Sequence, residues 1–179
     1  MDSIIRIVPI NTVDVTFMSR LAPCLEERFL ACAGVERSLV VPRTSLNATR
    51  GQLFVPTLIG KVHKAHPESG ATTLAITDFD LYKTSRRFVF GDADESQGVA
   101  VVSTHRLRSE FYGEPADANV LFQRMLKESI HELGHAFGLK HCYNARCAMY
   151  HSNSIFETDN KMPQFCDICD RRLARARSS

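Results

Sequence analysis

Length, composition and charge restrict what this chain can be. It has 179 residues, of which 44% are hydrophobic and 23% charged, with a formal net charge of +2. These values suit one compact domain with a substantial core. They exclude a strongly basic nucleic-acid binder, and no apolar run is long enough to cross a bilayer.

Periodicity and capping signals predict strands that alternate with helices. The predicted strands lie at residues 4–10, 35–41, 72–81, 87–90 and 98–104. The predicted helices run over residues 14–31, over about 47–66 and from 117 onward. Pro23 either kinks the first helix or marks its true start, and Pro56 interrupts the second. A mixed sheet with helices packed on it, in the α+β class, is expected.

The last predicted helix runs into the segment His-Glu-Leu-Gly-His-Ala-Phe-Gly-Leu-Lys-His-Cys. Residues four apart share one helix face, so His131 and His135 can bind one Zn²⁺. Glu132 can act beside the metal as a general base. On a continued helix His141 would point away, so we expect the helix to stop at Gly138. Three neutral ligands leave the fourth position open for water, as in a catalytic zinc site.

A bare His-Glu-x-x-His also arises by chance, with histidines that are only core or surface residues. The added Gly138 and His141 complete the extended pattern and make that alternative weak.

Four cysteines follow the histidines and suggest a second metal site. They are Cys142, Cys147, Cys166 and Cys169. The last two have the two-residue spacing of a zinc knuckle, and four thiolates describe a closed, structural site. The alternative is a pair of disulfides. Because the first residues form a predicted strand rather than a secretion signal, we expect a cytoplasmic protein with a structural zinc.

His141 and Cys142 are neighbours, which connects the two predicted sites. Neighbouring side chains in an extended segment point to opposite sides, so one can face each metal. We therefore expect the structural zinc to clamp the loop that carries the third catalytic ligand.

This combination resembles the archaemetzincin family, which joins the extended histidine motif to a following cysteine, a Cys-x-Met and a Cys-x-x-Cys. The residues that carry the resemblance are His131, Glu132, His135, Gly138, His141, Cys142, Cys147, Met149, Cys166 and Cys169. The resemblance implies a metzincin-like twisted mixed sheet with packed helices, an active-site helix, and Met149 in a methionine turn beneath the catalytic zinc. It also implies an edge strand above the zinc that pairs with substrate. Residues 98–104 fit that strand, and fit an ordinary core strand equally well.

The expected organisation is a single catalytic domain, residues 1–179, with a cleft between two lobes. Residues 1–138 form the N-terminal lobe with the active-site helix. Residues 139–179 form a small zinc-stabilised lobe with the methionine turn and the four-cysteine site.

The predicted function is a zinc metallopeptidase with two Zn²⁺ per chain, in which Glu132 activates a zinc-bound water. We expect a monomer that acts on peptides or proteins and binds neither nucleic acid nor membrane. One alternative is a zinc-containing protein that binds peptides without cutting them. Another is an autoinhibited enzyme in which Cys24, Cys32 or the C-terminal tail reaches the zinc. The sequence leaves aminopeptidase and endopeptidase activity equally open.

Overall fold

The computed structural model describes residues 3–11, 15–67 and 70–177. In chain order its strands are β1 (Ile4–Pro9), β2 (Cys32–Val35), β3 (Leu53–Phe54), β4 (Ala71–Thr77), β5 (Leu81–Lys83), β6 (Arg86–Val89), β7 (Gly91–Asp94) and β8 (Val99–Ser103). Its α-helices are α1 (Val15–Phe29), α2 (Val55–Ala65), α3 (Ala118–Ala136), α4 (Ile155–Asn160) and α5 (Asp167–Arg177). Short 3₁₀ turns occupy Arg43–Ser45 and Ser109–Tyr112.

The main sheet has five strands in the order β2-β1-β4-β8-β7. The first four are parallel, and β7 runs antiparallel to β8 at the edge. A second, three-stranded sheet has the order β3-β5-β6. The α+β prediction of a mixed sheet with packed helices is confirmed.

The sheet is covered on both faces, which explains its continuous apolar strands. Side chains alternate along β8: Ala100 and Val102 join the core cluster with α1 and α3, whereas Val99 and Val101 join the cluster with α2. The helix with the histidine motif is therefore packed directly on the sheet.

Two predicted strands were wrong in extent. β2 ends at Val35, where the predicted strand began, and the following residues form one isolated bridge, between Leu39 and Ile10, rather than a ladder. There Asn11 uses its side chain to bind both backbone groups of Val41. The predicted strand over residues 72–81 divides into β4 and β5. β7 was not predicted, since Gly-Asp-Ala-Asp has low strand propensity.

The structure also decides the two predictions made for prolines. α1 already begins at Val15, so Pro23 lies inside this helix and does not start it. The predicted cap Asp14 lies outside the described residues. Pro56 does not interrupt α2 but stands in its first turn, where a missing N–H leaves no bond unmade.

The strand over residues 98–104 is confirmed as β8, but its edge position was wrong. β8 lies inside the sheet between β4 and β7. The edge strand is β7, whose register pairs Gly91 with Val102 and Asp94 with Val99.

Residues from both predicted lobes share one core. Met149, Phe165 and Leu173 belong to the same buried cluster as the sheet residues and α3. The division at residue 138 stays a prediction. Within the described ranges, none of the helices is long and apolar enough to cross a membrane.

Candidate active site

The helix α3 presents the histidine motif and then ends abruptly. Asp117 caps its start by accepting hydrogen bonds from the N–H groups of Asn119 and Val120, at 2.8 and 3.0 Å. At the other end Gly138 has φ +87°, its N–H donates to His135 O, and Leu139 N–H donates to Gly134 O. This is the Schellman pattern, which needs a left-handed residue at the glycine position. The chain therefore turns back and returns His141 to the helix.

The three histidines of the motif lie together. Ring centroids are 4.7 Å apart for His131 and His135, 5.4 Å for His131 and His141, and 4.7 Å for His135 and His141. One nitrogen from each ring lies within 4.8 Å of the other two. The arrangement is graded in exposure, with His131 buried and His141 exposed.

Backbone carbonyls orient two of the rings. His131 Nδ1 lies 2.7 Å from Ala148 O, and His135 Nδ1 lies 2.8 Å from Leu139 O. Because a carbonyl only accepts, each Nδ1 carries the proton and each Nε2 keeps a lone pair. The two Nε2 atoms are 3.2 Å apart, so two acceptors face each other. A zinc with N ligands at 2.0–2.1 Å in a tetrahedron needs about 3.3 Å between them. The donor set therefore fits a divalent zinc ion.

The histidines are poised to be neutral. Burial lowers the pKa of His131 well below its ordinary value, with Lys161 and His135 adding to the effect. Burial, followed by the neighbouring His135 and His151, lowers the pKa of His141 to about 4. Neutral imidazole is the form that binds metal, so the site is protonated only in acid.

Met149 packs against the active-site helix at a point where a glycine makes room for it. A Cβ built on Gly134 would fall 2.4 Å from Met149 Sδ, inside van der Waals contact. Met149 is fully buried, and the preceding Ala148 carbonyl holds His131. The sequence placed Met149 here only through the family resemblance. The role of Gly134 was missed, although its only signal, a glycine inside a helix, was visible.

Glu132 lies against the edge strand. It is 5% exposed, and a Cβ on Gly91 would lie 2.7 Å from Glu132 Cγ and 2.5 Å from Val101 O. Only glycine lets β7 approach the carboxylate this closely. Burial, with Glu128 and Asp92, raises the pKa of Glu132 well above its ordinary value.

A buried polar cluster below Glu132 was also missed. Glu128, one helical turn earlier, accepts a hydrogen bond from Thr158 Oγ1 at 2.8 Å. Lys161 Nζ lies 2.9 Å from Glu128 Oε1, and neither side chain is more than 3% exposed. The contact is an ion pair between α3 and the residue after α4. No local signal predicts it, because the partners are far apart in sequence.

A second polar contact joins the same elements. Arg124 binds both carboxylate oxygens of Asp159 at 2.7 Å, and Lys127 Nζ donates to Asp159 O at 2.8 Å. Bidentate arginine–carboxylate pairs are among the stronger charge-assisted contacts. The active-site helix is thus tied to α4 by several charged groups.

A cleft of about 410 Å³ opens over the histidines. It is lined by residues of β6, β7 and α3 and by residues 151–153. His151 packs on His141, with 4.5 Å between ring centroids. The free edge of β7 therefore runs beside the histidines and Glu132.

The four predicted cysteines form a separate cluster. All four Sγ atoms lie within 4.8 Å of one another, and Cys142 Sγ is 3.8 Å from Cys166 Sγ. A tetrahedral zinc with S at 2.3 Å needs about 3.8 Å between sulfurs. Asn144 N–H donates to Cys142 Sγ, and Cys166 N–H to Cys147 Sγ. All six cysteines are free thiols, so the disulfide alternative has no pair in the described chain.

The cysteines of this cluster shift the pKa values of one another. Burial raises the pKa of Cys166, but the Cys169 N–H and the neighbouring thiols outweigh it and bring the value down to about 7. Burial and the neighbouring Cys147 raise the pKa of Cys169. The first thiolate therefore forms readily, and the crowding of further negative charge is what a bound cation would relieve.

The two clusters share the segment after Gly138. Cys142 N–H donates to Met149 O at 2.9 Å, and Cys142 forms a bridge with Tyr150. His141 points to the histidines and Cys142 to the thiols, although the two residues are adjacent.

Comparison with known proteins agrees with this geometry. The family model of peptidase family M54 matches residues 44–175. An archaemetzincin of Thermococcus kodakarensis is 50% identical over 128 residues, which cover 70% of this chain and 66% of that relative. An archaemetzincin of Pyrococcus furiosus is 38% identical over 184 residues, covering 97% of this chain and 93% of that relative. A solved zinc-dependent peptidase of Methanocorpusculum labreanum has a TM-score of 0.84 at 30% identity, covering 94% of this chain and 99% of that one.

Proposed function

This chain belongs to peptidase family M54 and is a zinc-dependent metallopeptidase of the archaemetzincin kind, and from that premise we propose that His131, His135 and His141 hold the catalytic zinc. One observation carries the proposal: the Nε2 lone pairs of His131 and His135 converge at 3.2 Å in an open cleft. Glu132 lines the same cleft. The substrates of such an enzyme are peptides or proteins.

Glu132 is the proposed general base. When bound, zinc lowers the pKa of a coordinated water and polarises a carbonyl oxygen. Glu132 accepts the proton of the attacking water and passes it to the leaving amine. Burial raises the pKa of Glu132 above its ordinary value, which makes this carboxylate a stronger base toward the water proton.

The free edge of β7 is the proposed binding site for the substrate backbone. Among the described strands β7 pairs only with β8, so its other side offers N–H and C=O groups to an extended peptide. Gly91 at its start keeps this strand close to Glu132. Backbone pairing would therefore align a peptide bond beside the base.

A structural zinc held by Cys142, Cys147, Cys166 and Cys169 completes the proposal, giving two zinc ions per chain. The sulfur spacing and the two N–H···S hydrogen bonds support it. Free thiols also support a reducing, cytoplasmic location. The monomeric state and the lack of a nucleic-acid partner stay predictions.

Neither alternative gains support from the cleft. Cys24, Cys32 and α5 are not among the described residues that line it. A protein that only holds peptides has no chemical use for the carboxylate of Glu132 beside the metal ligands.

The test replaces Glu132 by Gln, which keeps the size of the side chain but cannot take up the proton. We expect peptide hydrolysis to fall by about 10²–10⁴-fold, the usual contribution of acid–base catalysis. Zinc content, measured by mass spectrometry, should stay at the wild-type value. Cys24→Ser, outside both clusters, is the control and should keep full activity.

A digest of a peptide library with wild-type protein, with chelator, and after zinc is restored separates enzyme from binding protein. Cleavage that chelator does not stop, or undiminished cleavage by the Gln variant, would contradict the proposal.

A further inference from the structure

The hairpin formed by β5 and β6 places a positively charged side chain in the cleft. Arg86, the first residue of β6, lines the cleft, and its Nη1 donates to Asn153 Oδ1 at 2.8 Å. Asn153 follows His151, whose ring packs on His141 at 4.5 Å between centroids. The guanidinium therefore lies at the rim next to the exposed histidine of the metal site.

Most charges around the cleft are already paired. Three lysine–carboxylate ion pairs account for them: Lys83 with Asp92 at 2.9 Å, Lys140 with Glu95 at 3.1 Å, and Lys161 with Glu128 at 2.9 Å. In the described ranges no carboxylate forms an ion pair with Arg86 or Arg87. Apart from Glu132, these two arginines hold the uncompensated charge of the cleft, and both are on the hairpin.

The hairpin is held in place before any ligand arrives. The carbonyl of Arg87 accepts hydrogen bonds from Arg50 Nη2 at 2.9 Å and Gln52 Nε2 at 3.1 Å. Lys83 at the other strand lies 2.9 Å from both oxygens of Asp92 on β7. Because the hairpin is already fixed, its backbone loses little conformational entropy when Arg86 binds a ligand.

Arg86 keeps donors available for a ligand. A guanidinium has five N–H donors, and the neutral Asn153 side chain occupies one of them. The remaining donors form the planar pattern that matches both oxygens of a carboxylate. An uncharged anchor orients the group without cancelling its charge.

We infer that Arg86 determines specificity by binding a carboxylate of the peptide substrate next to the zinc histidines. This inference rests on the function proposed above and adds the substrate class, peptides with a negative charge close to the cleaved bond. The carboxylate can be an acidic side chain or a free C-terminus. β6 leads into β7 at Gly91, so a substrate antiparallel to β7 would have its C-terminal side near Arg86.

The experiment compares matched peptides with one cleavable core. One pair carries Glu or Gln two residues after the cleaved bond, and another carries a free or an amidated C-terminus at that distance. For the wild type we expect kcat/KM to favour the charged member about 10- to 20-fold, near the lower end of the range for a hydrogen bond to a charged group. The pair with the larger ratio identifies the source of the carboxylate.

Arg86→Gln should reduce that ratio below about twofold. Arg86→Glu should invert the charge preference, so that a peptide with Lys at the same position is cleaved better than the Glu peptide. Arg87→Gln removes an equal charge from the next residue, which has no hydrogen bond to Asn153 among the described contacts, and should preserve more of the wild-type ratio than Arg86→Gln does. A structural role of Arg86 would not produce the inversion.

The same ratio is measured without turnover. Dissociation constants of the peptides for Glu132→Gln and for Glu132→Gln with Arg86→Gln should show the preference and its loss. Cleavage of the neutral peptide that chelator stops would uphold the proposed function even where the charge preference is absent. An absent preference, or one that survives Arg86→Gln, overturns the assignment of Arg86.

Discussion

The histidine cluster and the cysteine cluster are adjacent in the chain but differ in access and in ligand number. Three nitrogens meet at an open cleft with Glu132 beside them, whereas four sulfurs meet where Cys147 and Cys169 are buried. A site with an open position can do chemistry, and a site without one can only hold the chain. One short turn after a helix can therefore supply a ligand to both kinds of site, His141 to one and Cys142 to the other.

The largest expected effect comes from opening the closed cluster. Cys169→Ser should remove one zinc per chain and lower the free energy of unfolding by several kcal/mol, since such sites contribute on the order of 10 kcal/mol. Peptidase activity should fall although every histidine is intact, because Cys142 holds the segment of His141 and Met149. Zinc analysis, thermal melting and activity measure the three effects.

Cys32→Ser is the matched control, since this exposed thiol belongs to neither cluster. A Cys169→Ser protein with the wild-type melting temperature and activity would show that the two clusters are independent.

The next largest effect is expected beside the histidine site, from a residue that is not a metal ligand. Lys161→Met leaves the buried Glu128 carboxylate without its ion pair, which should cost about 3–5 kcal/mol of unfolding free energy. Chemical denaturation measures it. Lys140→Met breaks the exposed pair with Glu95 and should cost at most about 1 kcal/mol. Equal losses of unfolding free energy in the two variants would show that the buried ion pair stabilises the fold no more than the exposed one.

The smallest expected effect tests how closely the methionine fits beneath the open site. Gly134→Ala places a methyl group against Met149, and overpacking of this kind costs about 1–3 kcal/mol. The same substitution should also lower the zinc affinity of the histidine site. Gly60→Ala, in α2 with open space at its Cβ, should be neutral or stabilising by up to about 1 kcal/mol.

If the clash is the cause, Gly134→Ala combined with Met149→Ala should cost less than the two single changes together. Simple additivity would place the cause elsewhere.

The sequence predicted those parts of the site that depend on short spacing. The helix of His131 and His135, its end at Gly138 and the pairing of Cys166 with Cys169 all follow from offsets of a few residues. The position of β7 did not, because Gly-Asp-Ala-Asp has neither apolar alternation nor strand propensity.

Contacts between distant segments were equally invisible. The Glu128–Lys161 pair joins residues that only the tertiary fold brings together. The same holds for Gly91, whose requirement comes from Glu132 on another element. A lone charge or glycine in a sequence has many ordinary roles, so neither residue could be singled out.

The short edge strand also affects how this protein associates with other chains. An exposed sheet edge is a template on which a strand of another molecule can add, and long apolar edges lead to aggregation. β7 has only four residues, two of them aspartates. Asp92 is bound by Lys83, and Asp94 accepts hydrogen bonds from Ser96 and Gln97. The strand proposed to bind the substrate backbone is thus too short and too polar to nucleate a growing sheet.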